Sequence, residues 1–141
     1  MDASEVIERL GLHPHPEGGW YAETWRADAE SGERPSGSAI YFLLRRGEQS
    51  HWHRVDAAET WHFYAGEPLE LRIAEDDAPS RRVILGTDLE RDMRPQAIVP
   101  PGAWQAARPL GEWTLVGCTV SPAFDFAGFE LEPLGWEPPT G

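Results

Sequence analysis

Apolar residues along this chain fall in short runs, and clusters of Gly, Pro or Asp interrupt them. Runs of this kind, rich in β-branched and aromatic residues, predict strands over 20–26, 38–45, 50–54, 58–64, 69–74, 81–86, 96–100, 104–108, 113–120 and 128–131. A helical pattern occurs only at the N-terminus. There Asp2 and Glu5 have capping-box spacing, Val6, Ile7 and Leu10 form a short apolar stripe, and Gly11 fits the C-cap. Many short strands separated by tight turns predict an all-β sandwich or barrel with one short N-terminal helix. No internal repeat and no long linker divides the chain. A single domain is expected, with helix and entry segment over 1–19, barrel over 20–134 and a fraying tail over 135–141. Residues 27–37 read as an exposed loop.

Composition narrows the function classes. The 141 residues are 40% hydrophobic, enough for one core. No stretch approaches the roughly 20 apolar residues needed to cross a bilayer. Met1-Asp2-Ala3-Ser4-Glu5 lacks a basic region followed by an apolar run, so a cytoplasmic location is expected. A formal charge of −12 argues against nucleic acid or an anionic membrane as partner. All twelve basic residues are Arg. Without Lys there is no Schiff-base chemistry and no Walker-type phosphate loop, and without Asn there is no N-glycosylation site. Cys118 is the only cysteine and lies in an apolar run, so it reads as a small buried hydrophobe. Most of the seven Trp read as packing residues, with a minority available to line a ligand cavity.

The chemistry concentrates in Ser50-His51-Trp52-His53-Arg54-Val55-Asp56-Ala57-Ala58-Glu59. On a regular strand, residues two apart share a face, so His51 and His53 are expected to point together, with Trp52 opposite. A short turn then brings Glu59 to the head of the next strand, beside the two imidazoles. Two His and a carboxylate suit a divalent transition metal. They equally suit a metal-free pocket that binds a ligand or moves protons. Trp61 and Phe63 share the Glu59 face, either as an apolar wall that raises a carboxyl pKa or as barrel filling, and His62 faces away. His13 and His15 alternate with prolines in what reads as a rigid entry segment, followed by a turn at Glu17-Gly18-Gly19. Tyr21 and Glu23 share one face of the first long strand and are expected to reach the pocket. Arg54 and Arg72 fit either an anionic substrate or a solvated edge, and Asp125 either orients a His or caps a turn.

These residues resemble the cupin superfamily, whose first motif is G-x5-H-x-H-x3/4-E-x6-G. Here Gly47, His51, His53, Glu59 and Gly66 take its positions. The Glu-to-Gly spacing matches, the leading Gly is two residues closer, and the His-to-Glu gap is five residues. Pro100-Pro101-Gly102-Ala103-Trp104 matches P-x-G-x2 of the second motif. Gln105 stands where the family places its third His, and no Asn follows. The chain is similar to the DUF985 or Cupin_5 branch through His13-Pro14-His15-Pro16-Glu17-Gly18-Gly19, Ile40 to Leu44, His51 to Asp56, Glu59 to Tyr64, Pro100 to Ala106 and Phe124-Asp125-Phe126. The resemblance implies a jelly-roll barrel that pairs as a homodimer, and no settled activity.

Three functions stay open. The first is a metal-independent isomerase or epimerase acting on a sugar- or nucleotide-sugar-like molecule. His51 or His53 would be its base, Glu59 or Tyr21 its acid, and Glu23, Trp61, Phe63, Trp104, Gln105 and Arg54 its ligand contacts. The second is a metal-dependent enzyme with a divalent transition metal on His51, His53, Glu59 and Gln105. The third is a non-catalytic module that binds or senses a small ligand. Gln105 leans against the metal, because a neutral amide is a poorer ligand than imidazole.

Overall fold

Asp2 starts the helix as its spacing predicts. In the computed structural model, which describes residues 1–76 and 78–138, the Asp2 carboxylate accepts from the Glu5 amide at 2.9 Å. Gly11 ends helix α1 (Ala3–Leu10) in left-handed backbone at φ 67°. Val6 and Leu12 bury against Leu43, so the helix closes one side of the barrel.

The strands are β1 (His13–Pro14), β2 (Trp20–Arg26), β3 (Ser38–Arg45), β4 (Ser50–Val55), β5 (Ala58–Gly66), β6 (Leu69–Ala74), β7 (Arg81–Leu85), β8 (Gln96–Val99), β9 (Trp104–Pro109), β10 (Trp113–Ser121) and β11 (Phe129–Leu131). Each predicted run becomes a strand with ends within two residues of the expected ones. The two-residue β1 is additional and pairs with β2 in the segment read as an extended entry. Short 3₁₀ turns at Leu89–Arg91 and Phe126–Gly128 are also additional.

Two antiparallel sheets face each other as a jelly-roll barrel. One has the order β1-β2-β3-β10-β5-β8 and the other β11-β4-β9-β6-β7. Their inner faces divide along the strands. Toward one end, Phe42 and Leu44 of β3, Trp61 of β5, Leu69, Leu71 and Ile73 of β6, and Val116 of β10 interdigitate with almost no exposure. Toward the other end the same strands carry Ser38 and Ile40, Glu59, and Cys118 and Val120, which border a cavity instead. The barrel is packed at one end and open at the other.

The described part of the tail lies against the outer face of the second sheet. Trp136 packs against Trp104 at 4.6 Å between ring centroids and against Trp52 at 6.4 Å. Glu137 pairs with Arg72 at 3.3 Å. Residues 139–141 of the expected tail lie outside the described residues.

The packed end carries the stability. Leu71→Ala, at a fully buried position, is expected to lower unfolding free energy by about 2–5 kcal/mol. Ile98→Ala, at a position 56% exposed, is expected to stay within about 0.5 kcal/mol of the parent. Urea unfolding followed by tryptophan fluorescence measures both.

Candidate active site

The His-x-His pair is divided by a β-bulge. In the β4–β9 ladder, Ser50 pairs with Ala107 and His53 with Gln105, so His51 and Trp52 together oppose Ala106. The extra residue cancels strand alternation. Ser50 and His53 point into the barrel, while His51 and Trp52 border a cavity on its outer side. The expected pairing of His51 with His53 on one face is therefore corrected, and His51 does not reach Glu59's cavity.

Glu17 takes the place beside His53. Gly18 and Gly19 adopt positive φ of 105° and 80° and pass tightly over β3 and the start of β4. A Cβ on Gly19 would lie 2.6 Å from Leu44 Cδ2 and 2.8 Å from the Leu43 carbonyl oxygen, so glycine is required there. The Glu17 carbonyl accepts from the His51 amide at 2.9 Å, which locks the turn to β4. Its carboxyl group projects inward, 3.2 Å from His53 Nε2, and accepts from Ser50 Oγ at 2.9 Å.

Electrostatics decides the state of this contact. Burial pushes the Glu17 carboxyl up to about 8 and pushes the His53 imidazole down. Each group is thereby pushed toward its neutral form. Ser50 donates to one Glu17 oxygen, the other lies 3.2 Å from His53 Nε2, and His53 Nδ1 donates to the His51 carbonyl at 2.7 Å. His15 completes the surround. Its Nδ1 accepts from the Glu17 amide at 3.0 Å, its ring packs edge-on against Tyr21 at 4.4 Å, and burial lowers its pKa to about 4.

Glu59 borders the same cavity from β5. Gln105 Nε2 donates to its carboxyl at 2.9 Å, and Gln105 Oε1 accepts from Trp61 Nε1 at 2.8 Å. Burial pushes this carboxyl up to about 7, opposed by His53 and assisted by Glu17. Gln105 is thus a positioning group behind Glu59, and Trp61 is both core and the donor that orients Gln105. Cys118 lies beside Glu59, and burial pushes its thiol up, so it is a packing residue as expected.

The cavity holds about 540 Å³. Tyr21 and Glu23 line it, as predicted, and a second bulge between Glu23 and Trp25 switches faces so that Arg26 lines it too. Arg26 makes a two-pronged contact with Glu23 at 3.1 and 2.9 Å. From the 27–37 loop, Arg34 makes another with Asp56 at 3.0 and 2.8 Å. Phe124, Asp125 and Phe126 border the mouth, and Asp125 caps the adjacent turn through the Ala127 amide at 2.9 Å.

Several expected contacts lie elsewhere. Trp104 is on the outer face of β9, and Arg54 stacks over it at 4.5 Å while pairing with Glu130 at 3.0 Å. Trp61 and Phe63 fill the packed end rather than wall the cavity. Conversely, the sequence reading missed the roles of His15, Glu17, Arg26 and Arg34. The His-Pro-His-Pro-Glu-Gly-Gly block was the available signal for the first two.

The metal set expected from the sequence does not assemble. His51 faces outward, and both ends of the Gln105 amide are engaged by Glu59 and Trp61. The Glu17 carboxyl lies 3.2 Å from His53 Nε2. Among the described residues no group of three His, Cys, Asp or Glu is placed to hold a metal ion. The donors do not fit a metal centre in this arrangement.

A family model, the cupin superfamily family Cupin_5 (DUF985), matches residues 4–132. The chain belongs to this family. A protein of solved structure from Shewanella oneidensis is 40% identical, with TM-score 0.89 over 94% of this chain and 85% of that one. A hypothetical protein from Leishmania major is 36% identical, with TM-score 0.86 over 94% and 88%. Oxalate decarboxylase from Bacillus subtilis is 14% identical, with TM-score 0.67 over 86% of this chain and 30% of that one, a likeness of fold alone. No match was found among curated proteins. Among the described residues, no helix is long and apolar enough to cross a membrane.

The raised carboxyl of Glu17 has a signature in stability. A carboxyl whose pKa is higher in the folded state binds its proton more tightly there. Its support is full below the ordinary 4.5 and is lost as pH rises through about 8. Below about pH 6.5 the lowered pKa values of the buried His15 and His53 oppose this trend, so the urea midpoint is expected to fall between about pH 6.5 and about pH 8. Glu17→Gln, whose amide can donate to His53 Nε2 and accept from Ser50, should flatten that fall. An unchanged slope in the variant would show that Glu17 is ionised in the folded protein.

Proposed function

We propose that this Cupin_5 member binds a small polar molecule, sugar- or nucleotide-sugar-like, in the open end of its barrel and isomerises or epimerises it by metal-independent proton transfer. The observation that carries the reading is the grouping of Glu17, His53 and Glu59 on one cavity. A carboxyl with a raised pKa, 3.2 Å from an imidazole, lies near a second carboxyl that titrates near neutrality. Paired groups with pKa values around the working pH suit general acid–base chemistry.

The roles differ from those expected of the sequence. Glu59, partly ionised near its pKa of about 7, removes a proton from the carbon beside a substrate carbonyl. The Glu17 hydroxyl, backed by His53, gives a proton to the carbonyl oxygen, and an enol forms. When a proton returns to the opposite face of that carbon, the enol hydroxyl gives its proton back to Glu17 and an epimer results. When that carbon bears a hydroxyl, a proton returns to the former carbonyl carbon, the hydroxyl gives its proton to Glu17, and an isomer results. Neither outcome needs a co-reactant. Tyr21 on the cavity wall is a further donor. Arg26 and Arg34 at the mouth are the groups a nucleotide's phosphates would meet. The reading includes a cytoplasmic homodimer, and sedimentation equilibrium tests the dimer.

Incubation of candidate aldoses, ketoses and sugar nucleotides in deuterated water tests the chemistry. Deuterium incorporation at a carbon next to the carbonyl is expected. It should fall by about a hundredfold or more in Glu59→Gln and in His53→Ala. The rate should peak between about pH 7 and about pH 8, declining on the acid side as Glu59 is protonated and on the alkaline side as Glu17 loses its proton. Ligand binding without exchange would leave a binding module in place of an enzyme. Stoichiometric metal in protein purified without an affinity tag, lost in His53→Ala, would overturn the metal-independent mechanism.

A further inference from the structure

The outer face of the second sheet carries a cavity of about 490 Å³ that the barrel chemistry does not use. Its floor is a cluster of side chains from three adjacent strands. Arg72 of β6 pairs directly opposite Arg82 of β7, and Glu70 of β6 directly opposite Arg108 of β9. Like charges directly opposite on one sheet face are unfavourable. Glu70, itself buried, offsets this only in part. It accepts from Arg82 at 3.1 Å and from Arg108 at 3.0 Å, so one carboxylate serves two guanidiniums. The remaining guanidinium, Arg72, stacks over Trp52 at 4.9 Å and pairs with Glu137 at 3.3 Å.

Glu137 differs from Glu70 in its attachment. It belongs to the C-terminal segment that crosses the outer face, and its side chain is 62% exposed, against 6% for Glu70. Among the described residues the cavity wall thus bears three guanidiniums against two carboxylates, one of them on a surface segment. With Glu137 displaced, a local excess of two positive charges remains in a chain whose net charge is −12. Such a cluster matches a phosphate dianion in charge. The guanidinium forks match its oxygens in geometry. His51, turned outward by the β4 bulge, borders the same cavity as a further hydrogen-bonding group.

We infer that this outer cavity is a second ligand site, for a small phosphorylated molecule held by Arg72, Arg82 and Arg108, and that Glu137 occupies it as an internal competitor. The site is separate from the barrel cavity and does not depend on the chemistry proposed there.

Calorimetric titration of the full chain with inorganic phosphate at low salt tests the inference. Saturable binding is expected, weakening as salt is added. Arg82→Gln should weaken it about tenfold. Glu70 keeps Arg108 as a partner in that variant, so folding is preserved. Glu137→Gln should tighten binding severalfold by removing the competitor, a gain that a damaged fold cannot mimic. Arg91→Gln, on the Leu89–Arg91 turn and outside both cavities, should leave it unchanged. No saturable binding at low salt, binding indifferent to Arg82→Gln, or loss of binding in Arg91→Gln would each overturn the inference.

Discussion

One buried polar contact organises the open end of this barrel, the 3.2 Å approach of the Glu17 carboxyl to His53 Nε2. A polar pair without solvent is tolerated only when every donor and acceptor is matched. Here the matching extends to Ser50 on one side and the His51 carbonyl on the other. Two backbone irregularities serve the pair. The Gly18-Gly19 turn carries Glu17 under β4, and the β4 bulge rotates His53 inward while turning its neighbour out. Remove either irregularity and the other polar group loses a buried partner, at a cost of about 1–3 kcal/mol. The entry segment, the Gly-Gly turn and β4 are coupled through this contact.

The packed end supports the site through a second relay. Trp61 stands in the middle of the core yet keeps one polar atom, and that atom holds Gln105, which holds Glu59. Core packing thereby fixes the rotamer of a cavity carboxyl. The arrangement explains an amide at the position where the cupin pattern carries a third His. An amide can accept from the indole and donate to a carboxyl at the same moment, which a neutral imidazole does only in one tautomer and with a different reach. In this chain the position serves orientation of Glu59.

Strand positions were legible in the sequence because turns announce themselves through Gly, Pro and Asp, and each run found its strand. Faces were legible only where the ladder is regular. Tyr21 and Glu23, ahead of the bulge in β2, line the cavity as alternation implies, whereas Arg26 lies beyond it, where alternation points to the wrong face. His51 was misassigned for the same reason. A one-residue insertion in a ladder inverts every assignment past it, and nothing in Ser-His-Trp-His distinguishes a bulge from regular alternation. Trp104, expected in the pocket from its motif position, and Arg54, which fits either an anionic substrate or a solvated edge, stack on each other outside it. Glu17 was read as part of a turn. The turn is real, but its carboxyl is buried by tertiary contacts with β4 that local pattern does not encode.

The bulge gives the two faces of the second sheet different chemistries from one short segment. Its inward residues place a neutral imidazole against an acid in low dielectric, where charge is suppressed and protons are easily exchanged. Its outward residues join a lattice of guanidiniums, carboxylates and indoles in which charge is kept and shared. That separation rests on the register of β4 against β9. Restoring regular alternation with His53 kept inward would bring His51 to the inner face and turn Ser50 out, so Glu17 would lose one of the two partners that make its burial tolerable. A two-histidine inner face and a buried Glu17 are therefore alternative solutions for this barrel, and the sequence, with its Gly-Gly turn, has adopted the second.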